Sequence, residues 1–217
     1  MRKTAGCILS IVVLAAAALG QPPRIPVEPA PAPPGAPGRA VLVYLPQQLF
    51  NAQEFEPALR RLSLAGIETR LVAADSGVAV SMSQLVVRLD LALHNVNVAD
   101  YAGLVLIGGS GAAIYWDDTL LQTRCREFAG SGKVVAAIGI APVTLARAGV
   151  LEGRKATAFR DRATVDWLKQ AGAKFSFKGV VADRNIITAQ SSEQARAFGQ
   201  AVADAVLNGK ARNPKPE

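Results

Sequence analysis

Histidine and cysteine, the side chains that most often hold transition metals, are nearly absent from this sequence of 217 residues. It contains one histidine, His94, and two cysteines, Cys7 and Cys125. Zinc and iron sites usually combine three or four ligands of these types, so no metal centre is expected. Cys7 lies in an N-terminal segment that is predicted to be removed, and one remaining cysteine excludes an intrachain disulfide. Stability must therefore come from packing.

Concentrated positive charge is also lacking, although the net charge is +7. The longest basic clusters are pairs such as Arg60-Arg61 and Arg154-Lys155, and no aromatic residues are interleaved with them. Nucleic-acid-binding surfaces gather Lys and Arg on one face, so we expect no nucleic-acid partner. No Walker or Rossmann fingerprint occurs either, and the sequence predicts no cofactor.

Long hydrophobic runs are missing everywhere except at the N-terminus. Arg2 and Lys3 precede a mostly apolar run from Ile8 to Leu19, which ends in the small-x-small site Ala18-Leu19-Gly20. This pattern predicts a signal peptide over residues 1–20. The run is shorter than the ~20 residues of a membrane span, which favours cleavage over retention as an anchor. The protein is therefore expected to be exported, either periplasmic or secreted.

The chain after the signal divides into a linker, one domain and a tail. Residues 22 to 38 hold eight of the thirteen prolines, so residues 21–39 are predicted to form an extended linker without a core. Residues 40–209 have the length and composition of one domain, and residues 210–217 are interpreted as a tail.

Short apolar segments alternate with amphipathic ones along the predicted domain. Ala40 to Leu45 predicts a strand buried on both faces, and Glu54 to Ala65 repeats apolar residues at helical spacing. Further strands are predicted over Ile67 to Ala73, Leu104 to Ile107, Val134 to Ile138, Lys155 to Phe159, around Val180-Val181, and over Ile186 to Ala189. Further helices are predicted over Asp118 to Ala129, Pro142 to Ala148, Ala163 to Ala171 and Ser192 to Leu207. The alternation predicts an α/β fold, a doubly wound, mostly parallel sheet with helices on both faces, whose ligand crevice lies at the carboxyl ends of the strands.

Three stretches carry a resemblance to a known family: LIGGSGA (Leu106 to Ala112), KVVAAIGIAPVTLARAGVLEGRKAT (Lys133 to Thr157) and NIITAQ (Asn185 to Gln190). With them, Val41 to Leu207 resembles the DJ-1/PfpI family of the class I glutamine-amidotransferase-like superfamily, which has a flavodoxin-like sandwich. Active members resemble one another in a nucleophilic cysteine at a strand-to-helix elbow, in the pattern A-x-C-x-x-P, and in a glutamate that hydrogen-bonds the thiolate. They commonly form homodimers, so the resemblance implies a second copy as partner.

The resemblance implies that this sequence lacks the family nucleophile. Aligning the pattern with Ala137 to Pro142 places Gly139 at the cysteine position and Ile140 directly after it. Glycine has no side chain that could attack a carbonyl, but it tolerates the positive φ that such elbows adopt. Cys125 belongs to a different predicted helix and is expected to be an inert helix cysteine.

The remaining site residues also follow from the resemblance. Glu54 is the best match to the family glutamate and Gln53 is its competitor, while a solvated glutamate in the first helical turn is the alternative for Glu54. Gly108-Gly109 resembles the family turn whose backbone N–H groups can form an oxyanion hole. In this sequence the donors would be the Gly109 and Ile140 amides.

Residues near the glycine turn are weaker candidates. Ser110 could replace the nucleophile only in principle, because the sequence offers no general base to activate it. Tyr115 and Trp116 either edge the pocket or pack in the core. His94 is expected at the surface.

The sequence is compatible with three functions. The first is an exported pseudoenzyme that no longer catalyses at the cysteine position and binds a small carbonyl or carboxylate compound or a protein partner. The second is a glyoxalase-, deglycase- or hydrolase-like enzyme that uses Glu54 as general base with a backbone oxyanion hole. The third is a chaperone-like homodimer. Membrane contact is expected only if the N-terminal segment is retained.

The signal-peptide interpretation predicts the mass of the exported protein. When the full coding sequence is expressed and the envelope fraction is purified, intact-mass analysis should find a chain that begins at Gln21. A mass that includes residues 1–20 would contradict cleavage and favour the anchored form.

Overall fold

A computed structural model describes residues 40–209, and the predicted signal peptide, linker and tail lie outside the described residues. Twelve strands are present in this range: β1 (Val41–Tyr44), β2 (Gln48–Phe50), β3 (Thr69–Ala73), β4 (Val78–Ser81), β5 (Val86–Arg88), β6 (Leu91–Ala92), β7 (Gly103–Leu106), β8 (Val134–Ile138), β9 (Lys155–Ala156), β10 (Lys174–Phe175), β11 (Val180–Asp183) and β12 (Ile186–Ala189). Five α-helices accompany them: α1 (Ala52–Leu64), α2 (Thr119–Gly130), α3 (Pro142–Arg147), α4 (Arg162–Gln170) and α5 (Ala195–Asn208).

Seven of these strands form the central sheet, in the order β11-β12-β8-β7-β1-β3-β6. All its neighbours pair in parallel except β11, which runs antiparallel to β12 at one edge. Two small sheets lie outside it, β2-β4-β5 and β9-β10. The predicted α/β fold with a mostly parallel, doubly wound sheet is thereby confirmed.

The two faces of the sheet bury separate cores because successive strand residues point to opposite sides. In β1, Val41 and Val43 face the core beneath α1 and α5, whereas Leu42 and Tyr44 face the core beneath α2, α3 and α4. All four residues are buried, so β1 reads as a continuous apolar run. Within residues 40–209, no helix has the length and apolar character that a membrane span requires.

Several boundaries differ from the sequence prediction for local reasons. Helix α1 begins two residues before the predicted Glu54, because the Asn51 side chain caps it by accepting a hydrogen bond from the Gln53 amide. The predicted strand from Lys155 to Phe159 keeps only its first two residues as β9. The predicted last helix starts as a 3-10 turn over Ser192–Gln194 before α5 begins.

Helices α1 and α5 cross closely on one face of the sheet, and Gly199 makes this possible. A Cβ added to Gly199 would lie 2.8 Å from both the Cα and the carbonyl oxygen of Ala58. Real Cβ atoms do not approach backbone this closely, so any larger residue must push the two helices apart. The packing of α1, which carries the candidate site, therefore depends on this glycine.

We predict that Gly199→Ala lowers the free energy of unfolding by about 1–3 kcal/mol, the usual cost of overpacking. Gly130→Ala is the control, since Gly130 is also a helical residue, the last one of α2, but an added Cβ there would have nothing within 4 Å. The control should be neutral or gain up to ~1 kcal/mol from helix propensity. Denaturant unfolding measures both, and equal effects would contradict the close crossing.

Candidate functional site

The carboxyl end of β8 turns sharply into α3 at Gly139, which has a φ of +69°. Its N–H donates to the Ala189 carbonyl at 3.1 Å, and its own carbonyl accepts from the Phe159 N–H at 2.8 Å. The elbow is thus held on one side by the end of β12 and on the other by the segment after β9. Its backbone conformation favours glycine because residues with a Cβ rarely adopt such a φ.

Glu54 lies in the first turn of α1 and points into the protein, with 4% of its surface exposed. The alternative that it is a solvated glutamate is therefore wrong. Gln53, the competing candidate, is the residue before Glu54 in the helix, and its side chain is exposed. Helix α1 follows β1 through a short segment that contains β2, and its first turn lies at the same edge of the sheet as the elbow.

Two donors hold the Glu54 carboxylate. Oε2 accepts the Gly108 N–H at 2.9 Å, and Oε1 accepts from Nδ2 of Asn51 at 3.2 Å. The Asn51 N–H in turn donates to the Gly108 carbonyl at 3.0 Å. Asn51 therefore caps α1, orients Glu54 and joins the helix to the turn after β7. Sequence reasoning missed Asn51, although asparagine before an amphipathic helix is a recognised N-cap signal.

The Glu54 carboxylate also lies directly against Gly139. A Cβ added to Gly139 would lie 3.0 Å from both Cδ and Oε2 of Glu54, and closer still to Oε1. Any side chain at the elbow would have to displace the carboxylate from its present position. The structure thus brings together Glu54, Gly108 and Gly139, three residues that the sequence had placed in one site.

Burial raises the pKa of Glu54 from its ordinary value of 4.5 to about 7, and the hydrogen bonds from Gly108 and Asn51 oppose that rise. Both contacts are donors and stabilise the ionised form, whereas loss of water stabilises the neutral form. Desolvation wins, so Glu54 changes charge near neutral pH. A carboxyl with this pKa can accept or donate a proton under ordinary conditions.

Two backbone N–H groups next to the elbow have no hydrogen-bond partner among the described residues. Among residues 40–209, no oxygen accepts a hydrogen bond from the Gly109 or the Ile140 amide. A Cβ built on Gly108 would lie 3.3 Å from the Ile140 nitrogen, so the glycine turn and the elbow are in direct contact. Unpaired amides at adjacent turns form the kind of site that binds an oxyanion or a polarised carbonyl oxygen.

The other sequence candidates lie apart from this arrangement or contribute packing. Ser110 is exposed and has no base within hydrogen-bond distance in the described part of the chain. Tyr115 is half-buried and packs edge-on against Tyr44, with ring centroids 5.8 Å apart. His94 is exposed, as expected. Cys125 is fully buried in α2, and burial raises its thiol pKa to about 12, which accords with an inert cysteine.

No metal-binding group of three or more His, Cys, Asp or Glu residues occurs between residues 40 and 209. The elbow itself presents the Glu54 carboxyl group and the backbone amides of Gly109 and Ile140.

A parallel sheet with helices on both faces, and a glycine turn and elbow at adjacent strand ends, define a protein of the glutamine-amidotransferase-like α/β class. The chain belongs to the DJ-1/PfpI family, whose sequence model matches residues 39–205. The resemblance that the sequence suggested is confirmed.

Relatives support the same assignment. An uncharacterized protein of Methanocaldococcus jannaschii is 36% identical over 169 residues, which cover 77% of this chain and 82% of the relative. Protein/nucleic acid deglycase 2 of Escherichia coli is 30% identical over 154 residues, covering 70% and 88% of the two chains. Among solved structures, a ThiJ/PfpI domain protein from Brachyspira murdochii superposes with a TM-score of 0.76 at 26% identity and covers 81% of this chain and 100% of its own.

The raised pKa of Glu54 predicts a pH-dependent stability. The folded state holds the proton up to about pH 7, whereas the unfolded chain releases it near 4.5. The stabilising contribution of the protonated carboxyl is fully present below about 4.5 and is lost as the pH rises to about 7, by about 3 kcal/mol in total. Denaturant unfolding of wild type and Glu54→Gln across this window should show that the stability of wild type relative to the variant falls as the pH rises, because all other acids are common to both proteins. If the stabilities of the two proteins changed with pH in the same way, the raised pKa of Glu54 would be contradicted.

Proposed function

We propose that this protein is an exported member of the DJ-1/PfpI family that has lost cysteine-based catalysis and binds a small carbonyl or carboxylate compound at the elbow. The observation that carries the proposal is Gly139 at the elbow, with the Glu54 carboxylate lying against it. Family resemblance puts the nucleophile at this position, and glycine offers none. The carboxylate occupies the space into which a nucleophilic side chain would extend.

The same arrangement supports binding. The free Gly109 and Ile140 amides suit a carbonyl or carboxylate oxygen, and they are fixed by the turn and the elbow rather than by mobile side chains. Below about pH 7 the neutral Glu54 carboxyl adds no negative charge that would repel an anionic ligand. We therefore infer that affinity for a carboxylate ligand falls as the pH rises above that value.

A second function is favoured by one specific observation, the pKa of about 7 at Glu54. A buried carboxyl with this pKa fits a general base, and the two amides would stabilise the oxyanion that forms when a carbonyl is attacked. The relatives from Escherichia coli and Pyrococcus furiosus are named deglycases, the latter 30% identical over 146 residues. In this alternative the protein is an enzyme without a cysteine nucleophile.

Turnover by wild type and Glu54→Gln distinguishes the two functions. Both proteins are assayed with methylglyoxal, glycated amino acids and peptides at neutral pH. The binding function predicts no turnover by either protein above the buffer rate. Turnover by wild type that falls at least ~10²-fold in Glu54→Gln would establish the enzyme and overturn the first proposal.

The thiol chemistry of Gly139→Cys tests whether the elbow is otherwise built for a nucleophile. The new side chain requires the Glu54 carboxylate to move aside. The flexible side chain of Glu54 allows this movement. The Gly109 and Ile140 amides and the protonated Glu54 carboxyl should then stabilise the thiolate. We predict a thiol pKa below the ordinary value of ~8.5 and rapid alkylation near neutral pH.

Peptide mass spectrometry of iodoacetamide labelling against pH measures this effect. Cys125 is the internal control and should label slowly because it is fully buried. A folded Gly139→Cys protein whose thiol keeps an ordinary pKa would refute the elbow assignment. Gly139→Ala serves as a folding control, since it introduces the same Cβ without the thiol.

A further inference from the structure

A groove of about 380 Å³ lies on the outer side of the helix pair α1 and α5. The residues that line it come from both helices: Glu56, Pro57, Arg60, Arg61, Leu64 and Arg196. Glu54 points from α1 into the protein, whereas Glu56, Arg60 and Arg196 are exposed. The groove therefore belongs to the outer surface and is a separate site from the elbow.

The three arginines of this groove have no partner among residues 40–209. None of them forms an ion pair or a side-chain hydrogen bond in this range, although Glu56 precedes Arg60 by about one helical turn. Arginines elsewhere in the domain do pair with carboxylates: Arg70, Arg124, Arg147, Arg154 and Arg162. The guanidinium donors of the groove are therefore left to water or to a ligand.

The close crossing of α1 and α5 holds these positive charges next to one another. Gly199 follows Arg196 by one turn of α5, and a Cβ added to Gly199 would lie 3.0 Å from the Cβ of Arg61. Like charges on neighbouring helices repel, and water screens this repulsion only in part. Nothing in the packing of the two helices requires arginine at these exposed positions, and a bound anion would remove the repulsion.

We propose that this groove binds a phosphate monoester. Three arginines and the single carboxylate of Glu56 leave a local charge of 3 − 1 = +2, which matches the two negative charges that a phosphate monoester carries at about neutral pH. Guanidinium groups bind phosphate oxygens through paired N–H donors, and the ester offers three terminal oxygens where a carboxylate offers two. This site is independent of the function proposed for the elbow.

Leu64 bears on what the phosphate is attached to. It lines the same groove, and 70% of its surface is exposed. Covering such a side chain with an apolar group is favourable by roughly 25 cal/mol per Å² of apolar surface. We therefore expect an ester with an apolar organic group to bind more tightly than inorganic phosphate.

Titration of the wild-type protein with two matched probes tests the charge of the ligand. Phenyl phosphate and benzenesulfonate both carry a phenyl ring and three terminal oxygens, but the sulfonate has one negative charge. Phenyl phosphate should shift the arginine Nε signals of Arg60, Arg61 and Arg196 in nitrogen-15 NMR spectra and bind about tenfold more tightly than benzenesulfonate. Equal affinities, or no saturable shift with phenyl phosphate, would overturn the proposal.

Substitutions that keep the side-chain stem test the groove residues. Arg60→Gln and Arg196→Gln should each weaken binding of phenyl phosphate by about fivefold, the effect of losing an exposed charge pair, and Glu56→Gln should tighten it by about twofold. Arg88→Gln is the matched control, because Arg88 is an exposed arginine of β5 outside the groove. Equal weakening by all three arginine substitutions would reveal only a response to net charge and would overturn the site.

Cosedimentation with vesicles distinguishes a lipid headgroup from a soluble ester. Phosphatidate presents a phosphate monoester, whereas phosphatidylglycerol presents a diester with one negative charge. Sedimentation of wild type with phosphatidate vesicles, lost in Arg196→Gln, supports the site with a lipid as its ligand. Binding of phenyl phosphate without sedimentation supports the site with a soluble ester. Equal sedimentation with both vesicles would indicate attraction to any anionic surface and would overturn the monoester site.

Discussion

The buried carboxylate of Glu54 is the contact on which the site depends. It joins the start of α1 to the turn after β7 through Gly108, and it lies against the elbow at Gly139. The relation is reciprocal. The carboxylate can occupy this position only because residue 139 has no side chain, and a side chain at residue 139 would have to move the carboxylate. Glycine at the elbow and glutamate in α1 are therefore one structural feature.

Two opposing electrostatic effects set the protonation state of Glu54. Removal of water favours the neutral acid, while the Gly108 amide and the Asn51 side chain favour the carboxylate. Because the balance lies near neutral pH, neither protonation state is strongly excluded. In the proposed functions, the same site binds an anion when Glu54 is neutral or accepts a proton when Glu54 is ionised. Binding and general-base catalysis are therefore two possible uses of one carboxyl group.

The surrounding fold gives this site its position and rigidity. Adjacent strands β1, β7 and β8 end level with one another, with Tyr44 opposite Leu106 and Leu106 opposite Ala137. The loops that follow these strands therefore meet at one edge, where ligand crevices of parallel sheets lie. Two cores, one on each face of the sheet, fix the strands from both sides.

The sequence by itself determined the fold class, the family and the two key residues of the elbow region, Glu54 and Gly139. Buried strands and amphipathic helices have characteristic local patterns, and the elbow carries its pattern within six consecutive residues. Several strands were not predicted from the sequence, among them β2, β4 and β5, whose short segments owe their form to pairing with one another rather than to local preference.

Only the tertiary structure decided which side chains share the site. Asn51 acts on Glu54 because a cap turns its amide inward, and Glu54 rather than Gln53 is buried because the phase of α1 is set by packing against α5. Arg160 and Gln190, thirty residues apart in the chain, both donate a hydrogen bond to the Phe177 carbonyl. Contacts between distant segments depend on how the strands are ordered in the sheet, and no local pattern in the chain records that order.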